Sequence, residues 1–110
     1  MLYAMIGRQG FRGFQGLKLE QIIASTCRQK ILRALSMKER MHITGLVRVI
    51  NSTYNEVRRN LEILQSEGIV KITSRGNMKY VELQRDSPKT KKLLTALHTL
   101  RDENVHHAGS

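Results

Sequence analysis

The chain has 110 residues, with 19 Lys and Arg against 9 Asp and Glu, a formal net charge of +10 and one cysteine. That length allows one domain with one core, and the charge points to a polyanionic partner, nucleic acid being the commonest, with an anionic membrane surface or a ribosomal setting left open by charge alone. Lone Cys27 excludes an internal disulfide, no apolar run approaches the roughly 20 residues of a membrane span, and Met1 to Ile6 is too short for a signal-peptide core.

These features predict a soluble, cytoplasmic protein. Residues 1–16 differ from the rest, since Gly7, Gly10, Gly13 and Gly16 alternate with Arg8, Phe11, Arg12 and Phe14. Glycine at that density costs too much backbone entropy for a stable helix, so a flexible Gly/Arg-rich arm is expected. Leu19, Ile22 and Ile23 begin the folded part, residues 17–84. Ser25 is a good N-cap, and Cys27, Ile31, Ala34 and Leu35 form a helical stripe behind it, with Leu32 off the stripe. This helix should end between Ser36 and Arg40. Met41-His42-Ile43 reads as a minor strand, and Thr44 as the cap of a second helix burying Leu46, Val47, Val49 and Ile50.

Asn51 stands where a tight turn needs positive φ, which Asn tolerates better than any residue except Gly. Thr53 then opens a third helix. Thr53 and Glu56 have the spacing of a capping box. Val57, Leu61 and Leu64 share one face, and Gly68 sits where a left-handed residue ends a helix. That register makes Leu64 and Ile69 the touching pair of a Schellman motif. Two short helices joined by a three- or four-residue turn make a helix-turn-helix.

After Gly68 the period becomes extended. Ile69–Thr73 and Met78–Leu83 are rich in β-branched and aromatic residues, and between them lies Ser74-Arg75-Gly76-Asn77, whose Gly-Asn pair reads as a hairpin turn. A last helix, within residues 85–104, starts with Ser87 as N-cap and Pro88 at N1. Leu93, Leu94, Leu97 and Leu100 line one side of it. Residues 105–110 carry no structural signal and are expected to be a disordered tail. The fold class is therefore mainly α with a small β-hairpin, a winged helix-turn-helix with an added C-terminal helix.

Two stretches carry a family resemblance. Ala24 to Leu35 is similar to the first-helix pattern of the ArsR-like winged helix-turn-helix regulators, a small capping residue leading to Arg and then Ile-Leu-x-x-Leu. Thr53 to Val70 resembles the recognition helix of that family and its exit into the wing. The resemblance covers roughly residues 22–84, and Asn51 stands where the family often has Gly. It implies a DNA-binding transcriptional regulator. The recognition helix would enter the major groove, with Thr53, Tyr54, Asn55, Arg58 and Arg59 at its leading end. Asn suits adenine and Arg suits guanine; the bland alternative is a solvated basic helix face. Lys71, Arg75, Asn77 and Lys79 would form the wing contact to the backbone or minor groove, the alternative being a charged turn. Arg8 and Arg12 are candidates for a minor-groove arm, against an ordinary basic terminus.

The last helix places Lys89, Lys91 and Lys92 at its positive end and Asp102 and Glu103 at its negative end, each mildly unfavourable. An antiparallel partner helix would relieve both ends. A homodimer through Leu93, Leu94, Leu97 and Leu100 is therefore expected, unless those leucines cover the domain's own core. Soft thiolate metal sites use several cysteines, and His42, His98, His106 and His107 form no helical ligand pair. No metal and no cofactor is expected, and Cys27 reads as an inert core residue. No phosphate loop, paired-carboxylate site or nucleophile–base arrangement marks an enzyme. The leading expectation is a dimeric repressor on double-stranded DNA, its small-molecule effector unknown. A protein-interaction module in a larger assembly and a non-specific nucleic-acid binder are the alternatives.

Overall fold

The computed structural model describes the backbone of residues 16–109 and the side chains of residues 16–100. The expected arm with Arg8 and Arg12 lies outside the described residues, Gly16 apart. A short helix not foreseen in the sequence, α1 (Leu19–Ile23), opens the domain. The Gln21 side chain accepts from the Lys18 N–H (2.8 Å), closing its first turn, and Ile22 is fully buried. Helix α2 (Thr26–Ser36) follows, with the Ser25 hydroxyl accepting from the Arg28 N–H at 3.2 Å. Cys27, Ile31 and Leu35 are buried on the expected stripe. Leu32 is buried as well, because every other helix and the sheet pack around α2.

Strand β1 (Met41–His42) leads directly into α3 (Ile43–Ile50). The helix begins at Ile43 with His42 as N-cap, so Thr44 does not cap it and is exposed. Starting there, the buried face is Ile43, Leu46 and Ile50. Val49 falls on the opposite side and is 64% exposed, correcting the expectation that it is core. Helix α4 (Tyr54–Ser66) buries Val57, Leu61 and Leu64. Gly68 has φ +76°, its N–H donates to Gln65 O (3.0 Å), and the Ile69 N–H donates to Leu64 O (2.9 Å). That pair of bonds is the Schellman arrangement, and Leu64 and Ile69 are both fully buried.

Strands β2 (Val70–Arg75) and β3 (Met78–Leu83) form an antiparallel hairpin, and β1 adds to β3, giving the order β1-β3-β2. The turn is Gly76-Asn77, the pair expected, and Arg75 pairs with Met78 directly before and after it. Of the two turn residues Gly76 alone has positive φ, +60°, the requirement of a type II′ hairpin turn.

Helix α5 (Pro88–Gly109) starts as expected, with the Thr90 and Lys91 N–H groups donating to the Ser87 hydroxyl (3.4 Å) and carbonyl (3.0 Å). It continues past Asn104, where its end was expected; the sequence there contains no Pro, and its only Gly is residue 109. Leu93 and Leu97 are 0% and 3% exposed and belong to the domain's own core. This corrects the assignment of these two to a dimer surface; of the four leucines, Leu94 and Leu100 remain half-buried.

Glu67, just beyond α4, is a buried carboxylate that the sequence did not single out. It accepts from the Gly16 and Leu17 N–H groups (3.1 and 3.2 Å) and pairs with Lys89. The α5 lysine nearest the helix start thus finds its counter-charge within the chain, which removes Lys89 from the charge argument for a partner helix. Among the described residues, no helix is long and apolar enough to cross a membrane.

Candidate nucleic-acid interface

The candidate interface begins at the turn between α3 and α4. Asn51 adopts the left-handed conformation, φ 56° and ψ 54°. Its N–H donates to Arg48 O and the Ser52 N–H donates to Val47 O, both at 3.3 Å. The helix end is therefore closed by backbone bonds alone, and the chain turns within Asn51, Ser52 and Thr53. Thr53 Oγ1 accepts from the Glu56 N–H (3.1 Å), starting α4. The capping box is half formed: the Glu56 carboxylate accepts from the Ser52 hydroxyl (2.7 Å) and so is held by the turn.

The far side of α4 is free of the core. Asn55, Arg58 and Arg59 are exposed, with Glu62 one turn further on, and together they surround a shallow surface. Tyr54 is 43% exposed at the leading end. Arg58 Nε lies 3.5 Å from Glu62 Oε2 in an exposed i,i+4 pair. Such pairs contribute little, about 0.3–0.5 kcal/mol, so Arg58 can leave Glu62 at small cost.

The strand register divides the four wing candidates. Side chains alternate across a strand, and Val70, Ile72, Ser74, Lys79, Val81 and Leu83 share the face turned toward the helices. Lys79 and Ser74 therefore line one groove of about 190 Å³ with Tyr54 and Arg58 of α4. Lys71 projects from the opposite face, directly across from Glu82 and toward the base of the hairpin. It does not share a face with Lys79, although both were expected in one wing contact. Arg75 shares that outer face at the last pair before the turn, and Asn77 forms the tip. The outer face also carries Tyr80, its ring edge-to-face with His42 at 4.4 Å and covered by the Arg40 guanidinium at 5.4 Å.

No protein-family model matches the chain, and no curated protein sequence does. Solved structures match across most of the chain. The antimony-specific transcriptional repressor AntR superposes with TM-score 0.68 at 20% identity, over 80% of this chain and 78% of that one. The homodimeric winged helix-turn-helix DNA-binding domain Mb0332 from Mycobacterium bovis, described as a possible ArsR-family regulator, gives 0.64 at 19%, covering 81% and 80%. The adhesin competence repressor AdcR from Streptococcus pyogenes gives 0.66 at 19%, covering 77% and 63%. The fold is an ArsR-like winged helix-turn-helix.

Within this winged helix, α4 is the second helix of the helix-turn-helix and β2–β3 form the wing. One residue behind the interface escaped the sequence reading. Asn60 is 7% exposed on the buried side of α4. Its Nδ2 donates to Glu56 O (2.9 Å), and its Oδ1 accepts from Arg28 Nη1 (2.7 Å). Arg28 also donates from Nε to Ile22 O (2.8 Å) and from Nη2 to Gln21 O (3.1 Å), so one guanidinium holds the end of α1 against α4. Burial pulls the Arg28 pKa below its usual value, with nearby Cys27 opposing. The available signal was a polar residue three places after Val57, on a stripe otherwise apolar. Ser74 was missed because only register places it beside Lys79. Cys27 lies beneath the same turn, and burial first, then Glu56, push its thiol up. No group of three or more potential metal ligands occurs among the described residues.

Proposed function

We propose that the chain is a cytoplasmic, DNA-binding transcriptional regulator, a dimeric repressor that reads the major groove with α4 and touches the backbone or minor groove with its wing. The observation that carries this reading is the shared outward surface of Tyr54, Asn55, Arg58 and Arg59 with Lys79 beside them. Arg and Asn offer paired donors and acceptors to base edges, worth about 1–3 kcal/mol of discrimination per good pair. Lys79 supplies a point charge suited to phosphate, and the excess of Lys and Arg in the chain supplies the long-range attraction.

Arg75 and Asn77 contribute at the wing tip, whereas Lys71, facing Glu82, contributes least. Self-association uses Leu94 and Leu100, the two α5 leucines not consumed by the core. A two-fold dimer would present two α4 helices to half-sites about 34 Å apart. Structural relatives described as transcriptional repressors, and one described as a homodimeric DNA-binding domain, support the same reading.

Selection of bound sites from random duplex DNA tests it. The expected result is an enriched, pseudo-palindromic sequence bound about 10³-fold or more above random duplex. Equal binding to all sequences with a steep salt slope would instead mark a protein that coats nucleic acid.

A further inference from the structure

Away from α4 and the wing, a cleft of about 130 Å³ opens between the last turns of α2 and the middle of α5, lined by Arg33, Ser36, Leu94, Leu97 and His98. Arg33 Nε is closed off from solvent and has no hydrogen-bond acceptor among the described residues. A buried N–H donor without an acceptor is costly, since it loses water and gains nothing. Among the described residues the lining contains no carboxylate to answer it. Ser36 cannot serve as a second donor to a ligand, because its hydroxyl donates to Arg33 O at 2.7 Å. Leu94 and Leu97 form an apolar wall.

We propose that this cleft is the binding site for a small monocarboxylate, with its carboxylate on Arg33 and its hydrocarbon body against Leu94 and Leu97. The planar guanidinium fork matches a carboxylate's two oxygens in a way no point charge does. A single cation favours a singly charged head over a phosphate dianion, which asks for more donors than the lining provides. Size follows from volume: a cavity of about 150 Å³ holds benzene, so this cleft takes a body of roughly four to seven carbons. The occupant bridges α2, around which the other helices pack, and α5, whose Leu94 borders the surface proposed for self-association. Calling it an effector rests on the regulator reading; the binding itself does not.

The test therefore omits DNA. The full chain, uniformly ¹⁵N-labelled, is titrated with sodium benzoate, and in parallel with benzyl alcohol, its uncharged counterpart. Benzoate is expected to give saturable shifts at the amides of Arg33, Ser36, Leu94, Leu97 and His98. Benzyl alcohol should bind at least ~10-fold more weakly, as expected for loss of a charge-assisted hydrogen bond. Arg33→Gln should weaken benzoate by a similar factor while leaving the ligand-free spectrum dispersed. Absence of saturable shifts, equal binding of benzyl alcohol, or undiminished binding by a folded Arg33→Gln chain would each overturn the proposal. The benzoate and benzyl alcohol comparison decides the matter even if the variant fails to fold. Benzoate binding without any sequence-specific DNA binding would uphold this site and sink the regulator reading alone.

Discussion

Arg28 Nη1 and Asn60 Oδ1 lie 2.7 Å apart, joining the first long helix to the back of α4. Asn60 is the one polar side chain buried on α4, and its amide also bonds the helix's own backbone at Glu56. Replacing Arg28 with Met keeps the stem but leaves Asn60 Oδ1 and two α1 carbonyls without this donor. Arg28→Met should lower the unfolding free energy by about 2–3 kcal/mol in urea titration. Adding Asn60→Ala should cost much less in that background than in the wild-type chain, since the two share one network.

The two positive-φ turns on either side of α4 answer differently to substitution. At Gly68, φ +76°, a Cβ would meet no heavy atom within 4 Å, so Ala suffers backbone strain and not a clash. Gly68→Ala should cost about 1–2 kcal/mol. Asn51→Gly should change stability by less than about 1 kcal/mol, whereas a β-branched residue such as Val at Asn51 should cost more than Ala does at Gly68. Thermal melts of the three variants would check the order.

Leu93 and Leu94 are neighbours with different roles. Leu93 is fully buried, and Leu93→Ala should destabilise the fold by about 2–5 kcal/mol. Leu94 is half-buried at the rim of the core. Leu94→Glu should lower the sedimentation coefficient toward that of a monomer while leaving most of the thermal stability intact. Sedimentation velocity paired with melting separates the two effects, and an unaltered association state for Leu94→Glu would contradict the proposed dimer surface.

Arg58 and Lys79 share one groove but should fail differently on DNA. Arg58→Ala should cost about 1–3 kcal/mol on the preferred site and relax base choice there. Lys79→Ala should weaken every sequence alike and reduce the slope of log affinity against log salt by about 1. Fluorescence anisotropy on selected and random duplexes over a salt series would distinguish them. Identical losses on both duplexes for both variants would contradict the division of labour.

Cys27 should be slow to react. Burial raises its pKa above the ordinary 9.0, so the neutral thiol is the native form at physiological pH. Because the folded-state value is the higher one, stability is fully present below pH 9 and declines as pH rises from the unfolded-state pKa through the folded-state pKa. Thiol-reagent kinetics at pH 8 should therefore be faster for the urea-unfolded chain than for the native one. Equal rates would show that the thiol is open to solvent.

Local chemistry could be read directly from the residues around α4. Thr53 before Glu56, Asn51 at the turn, and Leu64, Gly68 and Ile69 at the exit act through contacts within five residues, so order along the chain was enough to place them. The exposed face bearing Asn55, Arg58 and Arg59 follows from helical period once Val57 and Leu61 are taken as buried. What chain order did not contain was everything set by elements meeting at a distance. Pairing register put Lys79 beside Arg58 and turned Lys71 away, and a one-residue slip would reverse both, because side chains alternate at period two. Packing of α5 onto its own domain, and not its leucine spacing, took Leu93 and Leu97 out of reach of a partner. Glu67 with Lys89, and Arg28 with Asn60, are polar pairs separated by 22 and 32 positions. Nothing near either member in sequence indicates the other, since a buried charge or amide is satisfied by whatever group folding brings alongside it.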